Sequence, residues 1–486
     1  MLALSVLPLL WPQVPPLTDV PGHMGRWHIA MEIGRSPALA RYYGYSWHLV
    51  GNLGMDLLVP ALAQAVGLIP ATKLAVILIP LLTAAGMLWS AREAHGRLPP
   101  TAFAALPFAY AWPFQFGFVN FALAQALAFC ATGLWLRLGR QGRLGWRAAL
   151  FAPIGCAVWV AHSAGWGLLG LIAFGADAAR QRQAGRGWLP ALIGAAIQCL
   201  PLALPVLLII LTRDTSGRSA AGDWFHMTTK LVWFLSVLRD RWLVLDVASL
   251  YAVLAFLYVG FRHRQLGFGT SLGLPALLCA GSFLLLPRLM MGGAYVDMRM
   301  LPAALALALL AIWPPRDARA GHILASLAIA FLAARMAINT LSFATIAAEQ
   351  QRLIRVVDRI PRGAAVLALV YRPCETPWSG ARTDHLPAYA IIRRDAFVNE
   401  QWDLAGQQLL TVRYRQAAPY ADDPTQIVYP DDCAEPGRGF ARALARFPRG
   451  AFTHVWTIDA PPLPAQARGL RPMSRSGASV LYEVMR

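Results

Sequence analysis

Arg137-Leu-Gly-Arg-Gln-Gly-Arg-Leu-Gly-Trp-Arg147 decides how this chain is laid out. Four arginines stand in eleven residues, with apolar runs at about 116–136 and 148–161 on either side. Apolar runs of this kind read as membrane spans. A short arginine-rich loop between two spans marks the cytoplasmic side. Moving outward in both directions, the pattern repeats. Loops 91–100, 179–187, 262–266 and 314–321 carry Arg92 and Arg97, Arg180, Arg182 and Arg186, Arg262 and Arg264, and Arg316 and Arg319. Loops 13–54, 113–116, 161–163, 212–241 and 288–299 alternate with them and face outward. The count is about eleven spans, from 1–11 to 322–346. Residues 1–11 would reach only about 17 Å as a helix, short of a bilayer core of about 30 Å. No basic n-region or small-residue cleavage site makes them a signal peptide. The expectation is that residue 1 lies inside the first span, with a short or re-entrant first helix as the alternative.

Composition agrees with a membrane protein. The 486 residues are 57% hydrophobic and 14% charged, where soluble domains are nearer a quarter charged. Mean hydropathy is +0.48. The net charge of +18 comes almost wholly from arginine, since Lys73 and Lys230 are the only lysines. Between the apolar runs the arginines sit in short loops, where topology and anionic lipid account for them, and nucleic-acid binding is not expected. Of six cysteines, Cys130, Cys156, Cys199 and Cys279 fall in apolar segments and read as small core residues. Cys374 and Cys433 fall in the polar C-terminal part, and in an oxidising compartment they are expected to form a disulfide.

Residues 347–486 lack any run of span length. Ala348–Arg359 reads as a helical linker. Strands are expected at Ala364–Tyr371, Pro387–Ile392, Thr453–Asp459 and Ser479–Met485, and a helix at Gly439–Phe447. About 140 residues are enough to bury a core. The expected division is therefore a mainly α, polytopic transmembrane bundle over 1–346, including the first outer loop 13–54. A small extracytoplasmic α/β domain follows over 347–486.

The first outer loop carries the most unusual chemistry. Asp19, His23 and Arg26 stand within eight residues, directly after the first apolar run. If Asp19 caps a helix that Pro21 helps to start, His23 and Arg26 share a face. Met24, Trp27 and Met31 then share an apolar one, and the helix would lie in the membrane interface. Tyr42, Tyr43, Tyr45 and Trp47 read as an interfacial aromatic belt. Asp19 suits two roles, a proton acceptor beside a lipid-accessible cavity or a plain N-cap. His23 and Arg26 suit phosphate binding or snorkelling toward headgroups. His162, between two spans, suits the cavity or a hydrogen-bonded turn. Asp297 and Arg299, on either side of Met298, suit a structural ion pair or donor-phosphate binding. No HExxH, paired CxxC, DxD, Walker A loop or Rossmann fingerprint is present, so neither a metal nor a cofactor is expected.

Four stretches carry a resemblance: Thr18-Asp-Val-Pro-Gly-His-Met-Gly-Arg26, Asn52-Leu-Gly-Met-Asp-Leu-Leu-Val-Pro60, Phe116-Gly-Phe-Val-Asn-Phe121 and Ala161-His-Ser163. With an acidic first outer loop, many spans and a C-terminal outer domain, the chain resembles the GT-C class of polytopic glycosyltransferases. It resembles in particular a largely uncharacterised bacterial group with that architecture. In that class the first-loop Asp or Glu acts on the acceptor, and the donor is usually a polyprenyl-phosphate sugar. Asp19 matches that position. Many members carry a second acidic residue beside it, where this chain has Val20. The resemblance implies an enzyme of the bacterial inner membrane that moves a sugar from a polyprenyl-phosphate donor to an envelope glycan, lipid or protein. Asp19 would deprotonate the acceptor, and Arg26 and Arg299 would stabilise the departing phosphate. The rival expectations are a transporter or flippase of lipid-linked glycans and a non-catalytic scaffold of the same fold.

Overall fold

Among the described residues helices predominate, and the β-strands form a short ribbon and one sheet. The computed structural model describes residues 1–211, 221–290, 293–404, 408–435, 437–463, 467 and 469–485. The first part of the expected outer loop 212–241, with Asp214, lies outside the described residues. The chain packs as two compact units. Met1–Trp11, Leu49–Leu57 and Leu74–Leu341 form the first, and Pro12–His48, Leu58–Lys73 and Ser342–Arg486 the second.

Among the described residues, six helical stretches are long and apolar enough to cross a membrane. They are Leu68–His95, Val119–Arg140, Leu144–Ala161, Trp188–Leu211, Leu243–Arg262 and Ala318–Arg359. The chain is a multi-pass membrane protein by that measure. The other expected spans fall on shorter or more polar helices, among them Leu2–Leu10, Ser163–Gln183, Thr270–Leu285 and Met300–Leu310. The span expected at 101–113 is broken into Ala102–Ala105, a 3-10 turn at Leu106–Tyr110 and Trp112–Phe116. Pro107 and Pro113 each remove a backbone donor there.

Within the first unit the alternation of loops has a geometric counterpart, because every second loop must meet at the same end. Arg140 pairs with Glu93, joining 137–147 to 91–100. Arg97 Nη2 donates to Pro315 O at 2.8 Å, joining 91–100 to 314–321. Arg147 pairs with Asp177 at 3.0 Å, and Gln183 Nε2 donates to Thr270 Oγ1 at 2.6 Å. The other loops also find one another. Trp112 N donates to Val237 O at 3.0 Å, Phe116 lies 5.6 Å from Tyr295, and Arg299 meets His162 at 3.0 Å.

Three of the four quoted stretches lock together in this second set. Asn120 Nδ2 donates to Asn52 O at 2.8 Å and to Asp56 Oδ2 at 3.0 Å, and its Oδ1 accepts from Met55 N. Leu53 N donates to Val160 O and Ser163 N to Gly51 O, both at 2.8 Å. Elsewhere in the unit, Arg335 is buried against Asp246 at 2.8 Å and donates to Leu238 O and Asn339 Oδ1.

The second unit is built on one mixed sheet. Ala365–Tyr371 lies parallel to Phe397–Val398, Ile427–Val428 and His454–Ile458. Ser479–Val484 adds antiparallel to His454–Ile458, and Leu470–Ser476 closes the edge. Val366, Leu367, Leu369, Phe397 and Trp456 fill the core. Cys374 and Cys433 are bonded, with Cα atoms 5.9 Å apart. The strand expected at Pro387–Ile392 is instead the helix Ala388–Arg394. Pro387 at its N-cap, two alanines and two basic residues in the last turn favour that outcome over the β-propensity of Tyr and Ile.

Pro12–His48, which the sequence reading assigns to the domain 1–346, packs with the C-terminal part. Two features hold it there. Tyr43–Tyr45 pairs antiparallel with Leu410–Val412. Tyr42 and Tyr43 are therefore core residues around Phe397 and Tyr414, and only Trp47 of the expected aromatic belt is exposed. The helix Val20–Glu32 packs on Ala388–Arg394 through Gly25, which faces Ala388 and Ile391, while Gly22, three residues earlier, faces Trp402 and His385. A Cβ on Gly22 would stand 2.8 Å from the Trp402 ring, and one on Gly25 2.8 Å from Gln401 Nε2. The helix is thus buried in protein on most sides and does not lie free in a membrane interface.

Candidate functional site

Asp19 occupies the N-cap position of Val20–Glu32, but its side chain does not make the capping hydrogen bond. The carboxylate instead stands 3.8 Å from His385 Nε2. His385 is fixed from its other side, where Nδ1–H donates to Glu400 Oε2 at 2.9 Å. Asp423 Oδ1 lies 3.9 Å from the same Nε2. One imidazole therefore faces three carboxylates, two of them on the side away from its anchor. Gln401 Nε2 donates to Gly22 O at 3.0 Å and to Glu400 Oε1, tying the anchor to the Asp19 helix. Trp402 covers the cluster, with its ring 4.5 Å from His385 and 5.1 Å from His23.

The electrostatics follow from burial and charge. His385 is only 5% exposed, which by itself would lower its pKa. The Glu400 hydrogen bond and the charges of Asp423, Glu400 and Asp19 outweigh that and raise it to about 9. Burial raises the Glu400 carboxyl, against the pull of His385 and Gln401. At neutral pH the cluster is an imidazolium held among carboxylates. An imidazolium anchored by a carboxylate on one side can orient a carboxylate on the other, here Asp19.

A pH dependence follows. An ordinary imidazole titrates near 6.5. The extra stability from His385 is thus complete below about 6.5 and is lost as pH rises through about 9. Thermal unfolding of the whole protein should show a Tm that falls between pH 7 and pH 10, and His385→Gln should flatten that fall. Equal slopes in the two proteins would refute the linkage.

In the second unit, Arg26 is 2% exposed and donates to Gln408 Oε1. His23 is half-buried between Trp27 and Trp402, its ring centroid 5.7 Å from that of Trp27. In the first unit, Arg299 Nη1 meets His162 Nε2 at 3.0 Å and its guanidinium stacks over Phe118 at 4.7 Å. His162 also caps the helix after it, its Nδ1 accepting from Ala164 N at 3.0 Å. Asp297 does not pair with Arg299. It binds Lys230 Nζ at 3.0 Å, and the same ammonium donates to Phe283 O and Leu286 O.

His385, Glu400 and Asp423 were not singled out in the sequence. No fixed spacing joins them. The one trace is the run Asn399-Glu-Gln-Trp-Asp403, whose first three side chains are fully buried and polar.

No family model matches the chain, and no curated protein matches it. Two solved structures are similar in fold, both of ArnT from Cupriavidus metallidurans. With the apo structure the identity is 14% and the TM-score 0.49, over 99% of this chain and 96% of that one. With the structure bound to undecaprenyl phosphate the identity is 13% and the TM-score 0.47, over the same shares.

Proposed function

We propose that the chain is a membrane glycosyltransferase that moves a sugar from a polyprenyl-phosphate donor to an envelope acceptor. The observation that carries this is Asp19, an N-cap carboxylate that leaves its cap unmade and turns to a carboxylate-anchored His385. A plain cap would bond its own helix. In the proposed step Asp19 takes the proton of an acceptor hydroxyl as that oxygen attacks the sugar's anomeric carbon. The bond to the carrier breaks, and its electron pair leaves with the polyprenyl phosphate. His385, anchored by Glu400, is a positioning residue that orients Asp19. Separately, for the first unit, we assign donor-phosphate binding to Arg299, which His162 and the Phe118 ring present, with Asp297 and Lys230 fixing the loop that carries it. Arg26, closed off against Gln408, supports the Asp19 helix. The test is Asp19→Asn in a transfer assay with an undecaprenyl-phosphate sugar.

The compartments belong to the same proposal. The arginine-rich loops face the cytoplasm of a bacterial inner membrane, and 347–486 faces the periplasm. A reporter active only in the periplasm should work when fused after Arg486 and fail when fused within 137–147. The reverse pattern would overturn the sidedness.

A further inference from the structure

Where Leu68–His95 and Val119–Arg140 end, a cleft of about 390 Å³ opens in the first unit. Trp89, Arg92, Glu93, Arg137, Arg140 and Gln141 line it. Three guanidinium groups thus face one carboxylate. That carboxylate is already engaged at both oxygens: Glu93 Oε2 pairs with Arg140, and Oε1 accepts from Trp89 Nε1 at 3.3 Å. Among the described residues, Arg92 and Arg137 form no ion pair. Two helix ends explain why cations gather here, since each end carries about half a negative charge. With Glu93 offsetting Arg140 and the two helix ends together contributing about one negative charge, a net charge of about +1 remains on the lining. The volume is in the range of small-ligand sites, which begin near about 300 Å³. Guanidinium forks match phosphate oxygens, and basic pockets between membrane helices suit phosphate headgroups.

We propose that this cleft binds a phosphate ester, as a lipid headgroup or as a soluble molecule, through Arg92 and Arg137. Glu93 acts as the internal competitor that holds Arg140 back. The site is independent of the chemistry assigned to Asp19.

The test is native mass spectrometry of the full-length protein in neutral detergent, titrated with dioctanoyl phosphatidylglycerol. Dioctanoyl phosphatidylcholine serves as the zwitterionic control, and glycerol 1-phosphate as the headgroup alone. The wild type should bind the phosphatidylglycerol more tightly than the phosphatidylcholine. Arg92→Ala with Arg137→Ala should weaken that binding by about tenfold or more, as expected for lost charge-assisted bonds. Replacing both by Lys should restore part of it. Glu93→Gln should tighten it by about threefold, a gain that a folding defect would not produce. Competition by glycerol 1-phosphate at similar concentration would assign the site to soluble esters, and no competition would assign it to lipid. Equal binding of the two lipids, no binding to the wild type, or an unchanged Ala double variant would overturn the proposal.

Discussion

Loss of sugar transfer with donor binding kept is the expected result of Asp19→Asn. Asn has the shape of Asp, and the Asp19 side chain makes no capping hydrogen bond that could be lost, so the helix Val20–Glu32 should start as before. What it lacks is a site for the acceptor's proton. Losing a general base slows the chemical step by about 10²–10⁴-fold. The fall should therefore appear in kcat, with the affinity for an undecaprenyl-phosphate sugar within about twofold of wild type. Unchanged transfer would remove Asp19 from the chemistry and favour a scaffold. Loss of donor affinity with kcat intact would give Asp19 a binding role. Because His385 lies against Asp19, a circular-dichroism spectrum should accompany each assay to separate chemistry from unfolding.

A second large effect is expected in the first unit. Arg335 and Asp246 are buried to 1% and 0% side-chain exposure and meet at 2.8 Å. Arg335 also donates to Ser249 Oγ, Leu238 O and Asn339 Oδ1. Asp246→Ala leaves a guanidinium inside an apolar bundle with only neutral acceptors. Breaking a buried pair from one side destabilises by about 3–5 kcal/mol. Asp246→Leu combined with Arg335→Met removes both charges and should recover most of that loss, since apolar replacement of a whole pair is often close to neutral. Thermal unfolding in detergent reads the difference. Equal destabilisation by the single and double variants would mean that packing at these positions matters and the charge does not.

The bundle was legible in the sequence because membrane helices obey few rules. A span must be apolar and its loops must sort their arginines, and both facts are local. The contacts Arg97–Pro315, Arg147–Asp177 and Arg299–His162 are what the alternation of loops required. Asp19, the carboxylate of the proposed site, stands out in the sequence for a similar reason, since it directly follows an apolar run. Its partners do not. His385, Glu400 and Asp423 come from a turn, a strand end and a loop, and only the tertiary fold brings them to one imidazole. The edge strand Leu470–Ser476 escaped too, because its Arg- and Ser-rich run is largely exposed and shows no apolar alternation. Tyr42 and Tyr43 were misplaced because aromatic residues serve membrane interfaces and protein cores alike.

The bond from Gln401 to Gly22 spans 379 residues. At synthesis rates of about 5–20 residues per second, Gln401 is made on the order of 20–80 s after Gly22. Throughout that interval the helix Val20–Glu32, with Met24, Trp27 and Ile29 fully buried in the finished protein, lacks the helix Ala388–Arg394 that packs on it. The nascent first loop is therefore a waiting, apolar segment, and most of the bundle is synthesised before its partner exists. A chain arrested before residue 385 would hold its spans but present that loop unfolded to proteases. Time-resolved proteolysis of arrested chains would show the loop become protected only when the last hundred residues have emerged.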